Sequence, residues 1–96
     1  MNIYKTVKNE IVVTNSTAKT SIEEGNLDRT RVPAYIIAPT KPREWTLTRY
    51  FQGRTILLNK GETVKKLIVP LKRNLRIVDN IDITLEELYA LLDKVL

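Results

Sequence analysis

The residues of this chain best suited to chemistry are cations set among aromatic rings. Lys41, Arg43, Arg49, Arg54, Lys65, Lys66, Lys72, Arg73 and Arg76 surround Trp45, Tyr50 and Phe51 in the middle of the sequence. Ammonium and guanidinium groups hold phosphates while rings stack on bases, so such a surface suits a single-stranded nucleic acid. An acidic protein surface would satisfy the same charges. Trp45, however, alternates in step with Leu47, which puts it on a core face rather than on an open platform. No nucleic-acid signature motif accompanies the cations.

Other chemistries find little support. Cysteine and histidine are both absent from the 96 residues. That removes disulfides, thiolate nucleophiles, cysteine-based zinc sites and the commonest general base. Glu44 and Glu62 lie amid cations, which keep a carboxylate ionised, the wrong state for a general acid. Gly25, Gly53 and Gly61 are isolated turn glycines and form no phosphate cradle. The chain is therefore expected not to be an enzyme and to need no cofactor or metal.

The formal charge of +5 is unevenly spread. Residues 41–78 carry ten Lys and Arg against two acids, whereas residues 79–96 carry one against five. A basic middle followed by an acidic end can complement itself within one chain, or offer each half to another subunit. No apolar run is long enough to span a membrane. The first residues, Met-Asn-Ile-Tyr-Lys-Thr-Val-Lys, lack the apolar core of a signal peptide. Asn15-Ser16-Thr17 matches a glycosylation sequon but reads as a polar turn in that setting.

The element most sharply written is the last. Thr84 and Glu87 have the spacing of a capping box, and Ile83 and Leu88 that of a hydrophobic staple. Leu85, Leu88, Leu92 and Val95 then form one apolar stripe, which predicts a terminal helix within 81–96. A helix of about a dozen residues is marginal alone in water. Its stripe must be covered by the chain's own core or by other copies of the helix about a symmetry axis.

Residues 1–80 read as a β domain. Ile3 to Lys8 and Glu10 to Thr14 are short β-prone runs, and residues 15–31 form a long polar loop in which Ser21 to Glu24 is at most one helical turn. Val32 to Ala38 and Glu44 to Phe51 resume strand character, and Gln52-Gly53 turns the chain into Arg54 to Leu58. Asn59-Lys60-Gly61 reads as a further turn, Thr63 to Leu71 as a strand with Pro70 at an edge or bulge, and Leu75 to Val78 as a last short strand. The expected architecture is mainly β: a small antiparallel sandwich or barrel-like body with a single C-terminal helix.

The ending from Asp82 to Leu96, with its capped leucine-rich helix, resembles the tails of small accessory proteins of tailed-bacteriophage heads, the head-fibre and decoration class. The resemblance implies a virion structural role, located in the virion or the host cytoplasm, in an oligomer that meets other proteins of an assembly. Leu85, Leu88, Leu92 and Val95 would then make subunit contacts. The first expectation is thus a non-enzymatic structural or interaction protein. The alternative is a small basic nucleic-acid-binding β domain using Arg43, Arg49, Arg54, Lys65, Lys66, Lys72, Arg73 and Arg76. An adaptor that captures an acidic protein surface is a third class with the same charges. No membrane partner is expected.

Overall fold

Strand follows strand in one antiparallel meander. The structure is a computed structural model and describes residues 1–27 and 31–96. The strands are β1 (Asn2–Lys5), β2 (Ile11–Thr14), β3 (Ala34–Lys41), β4 (Glu44–Phe51) and β5 (Arg54–Gly61), and the sheet order is the chain order. β-Branched and aromatic residues fill β2 and β3, as a sheet covered on both faces requires. Each of the later hairpins closes through two residues. Arg43 (φ 61°) joins β3 to β4 behind Pro42, while Gln52 (φ 49°) and Gly53 (φ 80°) join β4 to β5. Consecutive positive φ values at Gln52-Gly53 match the twist of flanking strands. Pro39 lies inside β3 rather than ending it, at a bulge where the missing N–H does little harm.

The helices are α1 (Lys19–Glu23), α2 (Ile68–Asp79) and α3 (Leu85–Asp93), with a 3₁₀ turn at Lys65–Leu67 leading into α2. The sheet is open, and α2 and α3 cover one face of it. Ile11, Val13, Tyr35, Ile37 and Leu47 from the sheet meet Leu67, Ile68, Leu71, Leu75, Leu88 and Leu92 there. On the other face Ile22 of α1 packs with Val12, Ala34 and Ile36, flanked by Tyr4, Leu27 and Tyr50. The long polar stretch therefore contributes a core residue. Its residues 28–30 lie outside the described residues.

Two strand expectations are overturned. Residues 63–71 and 75–78 supply the 3₁₀ turn and α2, not strands, and residues 59–61 are the end of β5 rather than a hairpin turn. Val64, Leu67, Ile68, Leu71 and Leu75 recur every three or four residues, and all five are buried. That helical period outweighs the alternation of Leu67, Val69 and Leu71. Pro70 falls in the first turn of α2, where a backbone N–H has no helical partner, so it is tolerated there. With those residues helical, the described strands make a single open five-stranded sheet. The second layer is helical instead, and the chain ends in two helices rather than one.

Candidate interaction surface

The basic residues named from the sequence do not form one patch. Arg43 sits at the β3–β4 turn and Arg54 follows the β4–β5 turn, at opposite ends of β4. At about 3.3 Å per residue those ends are roughly 25 Å apart. Trp45 packs partly buried against the main core and Tyr50 against the smaller one, so neither ring is a free stacking platform.

Arg49 has a different role. Its Nη2 lies 2.5 Å from Asp79 Oδ1 and its Nε 3.2 Å from Asp79 Oδ2. The Tyr35 hydroxyl also donates to Asp79 and lies 3.1 Å from the Asn74 carbonyl. Side-chain exposure is 17% for Arg49 and 10% for Asp79, so the pair is largely shielded. Burial and the neighbouring Asp79 hold the Tyr35 hydroxyl protonated well above the ordinary tyrosine range. Burial pushes Asp79 up, but hydrogen bonds from Arg49 and Tyr35 outweigh it and hold the carboxyl below its usual range. The hydrogen bond to Asp79 raises Arg49 in turn. All three groups are thus fixed in their neutral-pH protonation states, the reverse of what proton transfer requires. The cluster is a clamp that fastens the C-terminal end of α2 to β3 and β4. The space beside it, about 30 Å³, is about the size of one water molecule.

The remaining cations gather along α2. Val69, Lys72, Arg73, Arg76 and Ile77 line an open depression of about 520 Å³ on the helix surface turned away from the sheet. Their spacing of three and four places them on one side of the helix, opposite Ile68, Leu71 and Leu75. Lys65 and Lys66 precede α2 in the 3₁₀ turn, both exposed. Among the described residues the ion pairs are Arg49–Asp79 and an exposed Lys66–Glu62 contact at 3.7 Å. Lys65, Lys72, Arg73 and Arg76 have no carboxylate partner among the described residues. Within this cationic face Val69 is 50% and Ile77 74% exposed.

The stripe on α3 lies elsewhere. Leu88 and Leu92 are each 2% exposed in the chain's own core, and Leu85 and Val95 pack partly buried against it. Of the two covers the sequence allows, the chain's own core takes Leu88 and Leu92, while Leu85 and Val95 stay partly exposed at its margin. The cap is present in full: Glu87 N donates to Thr84 Oγ1 at 3.1 Å and Thr84 N to Glu87 Oε1 at 3.3 Å. Ile83 and Leu88 share the core, as a staple requires. The outer side of α3 bears Glu86, Tyr89, Ala90 and Asp93, all exposed.

Two features escape the sequence. Strands over 63–71 and 75–78 do not place Val69 and Ile77 beside Lys72, Arg73 and Arg76. The partnership of Asp79 with Arg49 and Tyr35 spans 30 and 44 residues and has no local signature. The helical spacing of Val64, Leu67, Leu71 and Leu75 was the signal available for the first. Compared with protein-family models, curated proteins and solved structures, the chain matches none of them.

Proposed function

We propose that this is a non-enzymatic interaction protein that binds nucleic acid through the outer face of α2. One observation carries the reading. Lys72, Arg73 and Arg76 line one helix surface, Lys65 precedes it in the 3₁₀ turn, and among the described residues no carboxylate neutralises these four. Free cations at close spacing release counterions when they meet phosphates, which supplies affinity without base recognition. Val69 and Ile77 add apolar area beside the charges, for sugar or base faces. The reading replaces aromatic stacking with a helix, because Trp45 and Tyr50 pack against the cores and the Phe51 ring lies 5.5 Å from the Arg49 guanidinium.

The test is titration of labelled single-stranded and duplex oligonucleotides, followed by fluorescence anisotropy. Reversing charge with Arg73→Glu and Arg76→Glu together is expected to weaken binding at least ~10-fold at low salt, since both phosphate contacts turn repulsive. Binding that the double variant leaves unchanged would overturn the proposal.

A second reading, a structural component of a virion or other assembly built from several copies, is favoured by a separate observation. The carboxylates of Glu86 and Asp93 on α3 have no cationic partner among the described residues. Both signs of charge are therefore presented outward by one subunit.

A further inference from the structure

Charge on the helical layer is divided rather than mixed. The outer side of α2 presents Lys72, Arg73 and Arg76 between Val69 and Ile77. The outer side of α3 presents Glu86 and Asp93 around Tyr89 and Ala90. The two helices touch each other and share the core below. Yet no ion pair joins them among the described residues. Of the internal complement suggested by composition, the Arg49–Asp79 pair is formed, whereas the charges on the outer faces of α2 and α3 are not paired with each other among the described residues.

The two outer faces match in spacing as well as in sign. Glu86, Tyr89, Ala90 and Asp93 recur at three, four and seven residues, and so do Val69, Lys72, Arg73 and Arg76. At 1.5 Å per residue, Glu86 and Asp93 stand roughly 10 Å apart along the α3 axis. Lys65 and Lys72, seven residues apart across the 3₁₀ turn and both without a carboxylate partner among the described residues, stand roughly 12 Å apart along the chain axis. Ala90 lies between the two carboxylates, where a small side chain lets another helix approach. Tyr89, 38% exposed, offers a ring beside Ala90 to face Val69 or Ile77.

We infer that copies of this chain join head to tail, the cationic outer face of α2 in one copy receiving the acidic outer face of α3 in the next. The contact is heterologous, so it repeats from copy to copy, closing into a ring or extending as an open filament according to the rotation between copies. It rests on the second reading above and names the partner as the chain itself. It also uses the α2 face that nucleic acid would occupy, so the two occupants compete. A contact between two single-helix faces is small, and its affinity depends on salt.

The experiment measures native mass by sedimentation, with the intact chain at about 100 μM, in a range where weak contacts are populated. Salt is set at about 0.05 M and then about 0.5 M, where screening is far stronger. The wild-type mass is expected to reach or exceed twice the 11.1 kDa of one chain at low salt and to return to it at high salt. Arg73→Glu alone and Asp93→Lys alone are each expected to stay at the mass of one chain. An equimolar mixture of the two is expected to associate again, because the intact α2 of one variant meets the intact α3 of the other. Circular dichroism confirms that both variants are folded.

A wild-type chain that remains single at low salt overturns the inference, as does an oligomer that Asp93→Lys leaves unchanged. Two variants that fail to associate when mixed overturn it equally. Anisotropy with the Asp93→Lys chain separates the two readings, since that variant keeps α2 intact. If it binds oligonucleotides while the wild type never associates, the nucleic-acid reading stands and the head-to-tail contact falls. If the wild type associates and neither chain binds oligonucleotides, the reverse holds.

Discussion

The helices α2 and α3 do the same structural job by different means. Each buries a leucine face against one side of the sheet and turns a charged face outward. α3 is specified within its own residues: Thr84 and Glu87 cap it, Ile83 and Leu88 staple it, and Glu86 and Glu87 suit the positive end of the helix dipole. α2 has none of this. Leu67 at its N-cap makes no side-chain cap, its first turn holds no acid, and two lysines precede it. Its order comes from distant parts of the chain, through the leucine contacts and the Asp79 clamp. Asn80 in the left-handed region (φ 54°) ends it, and the Ile81 N–H donates to the Leu75 carbonyl at 2.9 Å. The difference teaches that an exposed charged face can be carried by an element whose own sequence is poorly helical, provided the rest of the fold holds it.

The largest expected effect leaves that contrast intact and sets its scale. Leu75→Ala and Leu88→Ala each open a cavity in the shared core and are expected to cost about 3 kcal/mol in urea unfolding. Comparable losses at the two sites would show that both helices are needed for the core; a loss at one alone would show that the other is only docked.

The clamp comes next. Asp79→Ala leaves Arg49 and Tyr35 without their shared acceptor, and a loss of about 2 kcal/mol is expected, less than for a fully buried pair because the site is partly wet. A loss under half a kcal/mol, on the order of an ordinary surface substitution, would remove the clamp from the account. The pH dependence has a definite sign. The Asp79 carboxyl is lowered from 3.8, so its stabilisation is complete above that value and disappears as the pH falls through the lower folded-state pKa. The Tyr35 hydroxyl is raised from 10.0, so its contribution is complete below that value and is lost as the pH rises beyond it. Thermal unfolding should show both declines in the wild type, and the alkaline one should vanish in Tyr35→Phe.

The smallest effect sharpens the comparison most. Thr84→Ala removes the α3 cap and is expected to cost about 1 kcal/mol. No such N-terminal substitution exists for α2, which has no side-chain N-cap to lose and whose local stop is the left-handed Asn80 at its other end. Peptides covering 83–96 and 64–80 should accordingly differ in helix content by circular dichroism, the first higher.

What could be read in the sequence follows the same line. The terminal helix was legible because capping and stapling act between residues three to five apart. Much of β1 to β5 was legible from β-branched runs and from the Gln52-Gly53 turn. α2 was not, because Leu67, Val69 and Leu71 satisfy a strand period over a short window while the helical period needs Val64 and Leu75 to be seen. Pro70 misled as well, since in a strand it marks an edge and in a helix it is at home in the first turn. Of the candidate site, the cations were visible as a composition. Their division among a clamp, two hairpin turns and one helix face depends on tertiary placement alone.

The central claim is that the outer face of α2 meets a polyanion through its free cations. It is tested most directly by the salt dependence of oligonucleotide binding to the intact chain. If Lys65, Lys72, Arg73 and Arg76 each meet a phosphate of a duplex, log K should fall against log salt with a slope of about −3.6, and Arg73→Ala should reduce that slope by about 1. A slope near zero, or one that Arg73→Ala leaves unchanged, would contradict the account.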